Sequence, residues 1–129
     1  MVVKECNYFE LQFGVDGVPT TTHYLTPGKN ASQVAAMLVP LPRACQLNNI
    51  DVIARVAPGA GVTDTFTVYK NGVATTAIAN VVTTALTGSW SGTPVTFAAD
   101  DTVSLYFTSA GGATAIDDVG ITLRFLIEM

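Results

Sequence analysis

Charge is what this sequence has least of. Only 12% of its residues are charged, against roughly 25% in an ordinary soluble domain. Hydrophobic residues make up 49% and the mean hydropathy is +0.41. The exterior must therefore be built largely from Thr, Ser, Asn, Gly and Ala. Either much of it is covered, in an oligomer or against a large partner, or the surface is a bland neutral one. The risk of exposed apolar patches on such a chain favours cover. The six basic residues are never adjacent and the net charge is −4, so direct nucleic-acid binding has no electrostatic footprint. No run approaches about 20 uninterrupted apolar residues, so no membrane-spanning helix is expected. Met1-Val-Val-Lys-Glu-Cys6 carries charge where a secretory signal needs an apolar core, which predicts cytosolic synthesis.

Reactive side chains are equally sparse. His23 is the single histidine, and no local pattern sets it beside a nucleophile, so no enzyme is expected. Cys6 and Cys45 are the two cysteines, and their spacing fits no metal motif. They are two reduced thiols packed as small apolar groups, or a disulfide between the N-terminal region and the first core strand. Gly14 and Gly17 lack the context of a phosphate-cradling loop. Two acidic doublets, Asp100-Asp101 and Asp117-Asp118, lie in expected loops. They read as turn chemistry or, together, as oxygen ligands for Ca²⁺. No cofactor is called for.

What the chain has in quantity is strand punctuation. Thr65-Phe-Thr-Val-Tyr-Lys70 alternates with period 2 and runs into Asn71-Gly72, after which Val73 restarts an extended stretch. Asn-Gly suits a two-residue type I′ turn, whose central residues both need φ > 0. Phe66 and Val68 then belong to the core, and the Asn71-Gly72 tip is expected to face solvent. Further strands are predicted over 8–13, with Phe9, Leu11 and Phe13 inward, and over 20–25, 33–39, 44–56, 81–86, 94–98, 102–108 and 119–127. The run 33–39 is ambiguous: Ala-Ala-Met-Leu favours helix, but it is short and Pro40 and Pro42 stop it. Along 44–56 the apolar phase slips between Leu47 and Ile50, predicting a bulge near Asn48-Asn49. Residues 57–61, 87–93 and 109–114 read as loops, with Trp90 central in the second. Eight to ten short strands with turns every 8–12 residues predict an all-β, two-sheet β-sandwich.

From Leu41 to Phe125 the order of elements resembles a phage-type jelly roll, related to the trimeric C1q/tumour-necrosis-factor-like sandwiches. The resemblance rests on Pro42-Arg-Ala-Cys45 leading into a long strand, Ala57-Pro-Gly-Ala-Gly61, the Thr65–Gly72 stretch, Val95–Leu105 and Gly120–Phe125. Where that pattern usually carries Gly in a tight turn, this chain has Asp100, a residue that tolerates such turns better than most. The resemblance implies a jelly-roll sandwich over 41–129 behind an extended N-terminal arm over 1–40, assembled as a homotrimer. It implies a viral structural protein, made in the host cytoplasm and carried on the virion. The role would be a capsid decoration (cement) protein bridging capsomers, with the major capsid protein as partner. The alternative is a receptor- or glycan-binding tip of a tail fibre or spike, with Trp90, Tyr69 and Tyr106 as contacts. Candidate partner contacts are Tyr8, Phe9, His23, Tyr24 and Trp90, although Trp90 could equally fold back to cap the sandwich. Arg55, Lys70 and Arg124, on strands beside apolar residues, need partners, with Asp51, Asp64 and Glu128, within or between subunits, the expected ones.

Overall fold

A computed structural model describes residues 7–19, 21–28, 33–82, 85–110 and 116–127. Among the described residues there are ten strands and no helix. They are β1 (Tyr8–Val15), β2 (His23–Pro27), β3 (Val39–Pro40), β4 (Cys45–Val56), β5 (Thr63–Lys70), β6 (Val73–Val82), β7 (Thr87–Trp90), β8 (Val95–Phe97), β9 (Thr102–Ala110) and β10 (Asp117–Ile127). All pairings are antiparallel, in the order β6-β5-β9-β2-β1-β10-β4-β7. β3 adds to β9, and β8 adds to β4.

The expected hairpin is present. Lys70 pairs with Val73, and Asn71 and Gly72 have φ of 50° and 80°, as a type I′ turn requires. Phe66 and Val68 are fully buried, with Thr65, Thr67 and Tyr69 on the other face. The slip in β4 is also present: Arg124 pairs with Asn49 and Phe125 with Leu47, which leaves Asn48 as the extra residue. A second irregularity, opposite Val68, is held by Thr75, whose hydroxyl donates to the Val68 carbonyl (2.7 Å) and accepts from the Ala77 amide (3.2 Å).

Sequence expectation and structure part at three places. Of the run 33–39, only Gln33, in an isolated bridge to Tyr24, and Val39, in β3, are paired. The apolar run has strand composition but, among the described residues, no strand pairing between Gln33 and Val39. Thr87–Trp90, expected as a loop, is a strand on β4, paired from Ile50–Trp90 to Ile53–Thr87. The strand expected over 81–86 is instead the end of β6, with Ala85 and Leu86 outside any strand. Cys6 and residues 111–115 lie outside the described residues, as do the first six residues of the expected arm. β1 and β2, also from that region, are strands of the main sheet, between β10 and β9.

The core fills the space between the two halves of the sheet. Phe66, Phe97, Phe107 and Phe125 are its largest fully buried side chains, joined by Leu25, Leu47, Ile50, Leu105, Ile121 and Leu123. Small residues take over where the sheet nearly closes. Two of the three inward residues of β6 are the alanines Ala77 and Ala79, the third being Val81, and Gly88 of β7 lies against the β6 backbone. A Cβ on Gly88 would overlap the Asn80 carbonyl oxygen and sit 2.8 Å from Val81 Cγ2.

Candidate functional site

The two outer faces of the sheet differ in charge. On the β10-β4-β1 side, strand residues pointing outward include Glu10, Asp51, Arg55 and Arg124. The β2-β9-β5-β6 side has no charged residue among its outward positions. These include Thr63, Thr65, Thr67 and Tyr69 on β5, Ser104, Tyr106 and Thr108 on β9, Tyr24 and Thr26 on β2, and Ile78, Asn80 and Val82 on β6. Period-2 alternation puts them there, since Asp64, Phe66, Val68, Val103, Leu105 and Phe107 take the opposite, buried face.

Three tyrosines meet on this neutral face. Tyr24 lies directly across from Tyr106, with ring centroids 4.8 Å apart. Tyr69 stands 5.4 Å from Tyr106 and meets Tyr24 edge-on at 5.8 Å. Each ring is half-buried. Desolvation raises the Tyr69 phenol above its ordinary range, with smaller contributions from Tyr24 and Tyr106. Beside the trio, the hydroxyls of Ser104 and Thr26 are buried and have no hydrogen-bond partner among the described residues. Thr65 Oγ1 donates to Asn80 Oδ1 across the strands (2.8 Å).

The other expected contact residues are spread over the molecule. Tyr8 is exposed, with the Arg124 guanidinium 5.3 Å from its ring centre. Phe9 is stacked flat on Phe125 at 5.0 Å, so its ring extends the core. His23 pairs with Phe107 through the backbone, and its Nδ1 is buried without a partner among the described residues. Trp90 is half-buried against the core on β7, opposite Ile50, with its indole over Gly92. It therefore belongs to the other half of the sheet and does not join the tyrosines.

The cations find partners other than those expected. Arg55 pairs with Asp118 through Nε and lies 4.0 Å from Asp117. Lys70 lies 3.8 Å from Asp101, donates to the Thr96 carbonyl (2.7 Å) and sits over the Phe97 ring at 5.6 Å. Arg124 is 3.9 Å from Glu10. Asp51 is occupied by Asn49 Nδ2 (2.8 Å), Asp64 is buried and accepts from the Ile116 amide (2.7 Å), and Glu128 lies outside the described residues. Local spacing favoured neighbours along the chain, whereas the sheet register selected the real partners.

The acidic doublets serve turns at opposite ends of β9 and β10. Asp100 has φ of 70° at the turn before β9, and Asp118 has φ of 51° near the start of β10. Asp118 accepts from the Gly17 amide (2.6 Å), the largest cause of a carboxyl held below its ordinary range, with Arg55 next. Asp101 is also lowered, first by its bond from Asn71 and then by the Ala98 amide. No group of three His, Cys, Asp or Glu side chains that could hold a metal occurs among the described residues. A shallow groove of about 600 Å³ lies on the charged side between β4, β7 and β10, lined by Asp51, Ile53, Thr87, Ser89 and Thr122.

No known protein-family model matches the chain, and no curated protein sequence resembles it significantly.

Proposed function

We propose that the chain is a virion structural protein, a homotrimeric decoration or cement protein that joins capsomers. In this reading the sheet is a jelly-roll sandwich and the N-terminal region provides contacts to neighbours. The observation that carries it is the uncharged outer face of β2, β9, β5 and β6. A rigid face of threonines, aliphatic residues and three contacting tyrosines suits a protein surface. Tyr is enriched at the centre of interfaces and charge is depleted there. The charge-poor composition points the same way. The chemistry of such a protein is burial of surface across a capsomer seam, with no bond made or broken.

The test uses particles assembled with and without the protein. Cementing predicts density for this chain over the capsid faces and a lower disruption temperature for particles lacking it. Particles that lack it and remain as stable to heat and salt as complete ones overturn the reading. A second reading, the glycan- or receptor-binding tip, is favoured by one observation: three tyrosine rings meet on the uncharged outer face, an arrangement able to stack on a neutral sugar. Loss of host-cell binding on Tyr106→Ala, with particle stability unchanged, would select it.

A further inference from the structure

In the ladder order, β6, β5 and β9 form one half of the sheet, β1, β10, β4 and β7 form the other, and β2 joins them. The joint is short. Three residues of β2 pair with β9, as His23–Phe107, Tyr24–Tyr106 and Leu25–Leu105, and only Phe13–Pro27 and Gly14–Thr26 tie it to β1. By comparison, β5 and β9 share eight register pairs, as do β1 and β10.

The tyrosine cluster sits on this joint and holds three of the four tyrosines of the chain. Tyr24 of β2 lies directly across from Tyr106 of β9, with ring planes tilted at 60° and centroids 4.8 Å apart. That spacing is little more than the two ring radii and one carbon–carbon bond that separate the centroids of a covalently joined pair. Joining them asks the rings to turn and leaves the strands where they are. Tyr69 is less well placed. It stands opposite Ser104, 5.4 Å from Tyr106 on the diagonal, and meets Tyr24 edge-on, with an interplanar angle of 83°. Its phenol, pushed up by desolvation, also releases its proton less readily than that of a free tyrosine.

We infer that Tyr24 and Tyr106 form an oxidative cross-linking site, where hydrogen peroxide activated by a haem peroxidase joins the two rings through a carbon–carbon bond. Each phenol gives up its hydroxyl hydrogen, as one electron and one proton, and becomes a phenoxyl radical. The two radicals pair at carbons ortho to their oxygens. The hydrogen on each of those carbons then moves to the oxygen and restores the phenol. The two electrons and two protons released reduce one peroxide to two waters. Because the sheet register holds the second ring at hand, coupling within the molecule outruns coupling between molecules. The product is a staple across the weakest joint of the sheet. Like a disulfide, it restricts the unfolded chain, here between positions far apart in sequence. The site needs neither a trimer nor a capsid to act.

Treatment of the purified chain with a haem peroxidase and limiting peroxide, at low protein concentration, tests the site. Intact mass should show a monomeric product that has lost two hydrogens and carries the blue fluorescence of coupled phenols. Peptide mapping should place the bond between Tyr24 and Tyr106. Tyr24→Phe and Tyr106→Phe keep the rings and remove the hydroxyls, and circular dichroism should show both folded. Each should lower the yield of the intramolecular product several-fold, while Tyr69→Phe leaves it near that of wild type. Oxidised wild type should unfold at a higher urea concentration than untreated protein, and Tyr106→Phe should gain nothing from the same treatment. A bond mapped to Tyr69, or coupling found only between molecules through the exposed Tyr8, overturns the pair. Oxidation confined to Trp90 or Met37, with the tyrosines intact, overturns the site altogether. So does a Tyr24–Tyr106 bond that forms equally well in urea-unfolded protein, because the folded spacing would then decide nothing.

Discussion

Asn71, at the tip of the β5-β6 hairpin, is bound to Asp101, in the turn before β9, by a hydrogen bond from Nδ2 to Oδ1 of 2.9 Å. Its Oδ1 also accepts from the Thr102 amide (2.8 Å), and its own amide donates to the Thr102 carbonyl (2.9 Å). The tip is therefore docked on a neighbouring turn, and the residue that makes the hairpin also joins two turns.

Replacing Asn71 separates its two roles. Asn71→Gly keeps the positive φ and loses the side-chain bonds, for a cost of about 1 kcal/mol, a typical net hydrogen-bond contribution. Asn71→Ala loses both and should cost roughly 1 kcal/mol more, the penalty for a left-handed residue with a Cβ. Urea unfolding of the two variants should rank them in that order.

Acid should loosen this turn and the one near the start of β10. Asp101 and Asp118 are both held below the ordinary carboxylate range by hydrogen bonds to their charged forms. Their stabilisation is complete above the unfolded-state pKa of about 4 and is lost as pH falls through the lower folded values. The melting temperature should therefore drop below about pH 4. Asp101→Asn and Asp118→Asn should each flatten that limb, and a limb unchanged in the double variant would refute the assignment.

Gly88→Ala should destabilise by about 1–3 kcal/mol, the range for overpacking. The added methyl meets the Asn80 carbonyl, which is backbone and cannot turn aside. Thermal melts would register the loss as a lowered midpoint, with Ser89→Ala, at an exposed neighbouring position, as the neutral comparison.

Tyr106→Glu tests the neutral face. A half-buried tyrosine on an outer face can be replaced at modest cost to the fold, so the variant should melt close to wild type. A charge at the centre of the face should nevertheless reduce particle binding by tenfold or more, about 1.4 kcal/mol. Unchanged binding would remove the tyrosine trio from the particle interface.

The all-β class, the hairpin with its turn type, the buried Phe66 and Val68, and the bulge at Asn48 were legible because each is written in a few adjacent residues. Alternation, an Asn-Gly dipeptide and a one-residue phase slip are local signals. The tyrosine trio was not legible as a unit. Tyr24, Tyr69 and Tyr106 lie on three strands, and only the β2-β9-β5 order brings them together. Each could be singled out, but not grouped. Ion-pair partners failed for the same reason: Arg55 meets Asp118, 63 positions along the chain, rather than nearby Asp51. Val34–Leu38 shows the reverse case, a local strand signal with no strand pairing among the described residues.

The pairing of β1 with β10 also governs how the molecule is made. Tyr8 meets Leu126 and Val15 meets Val119, so one of the first strands synthesised waits for the last. Loop-closure entropy on this scale places the chain among slow folders of high contact order. Until β10 emerges from the ribosome, Phe9 has no Phe125 to stack on, and β4 lacks its main neighbour. During that interval the apolar strands are exposed to each other's unfinished edges. Expression yield should therefore depend on temperature and chaperone supply more than the stability of the finished sheet would suggest.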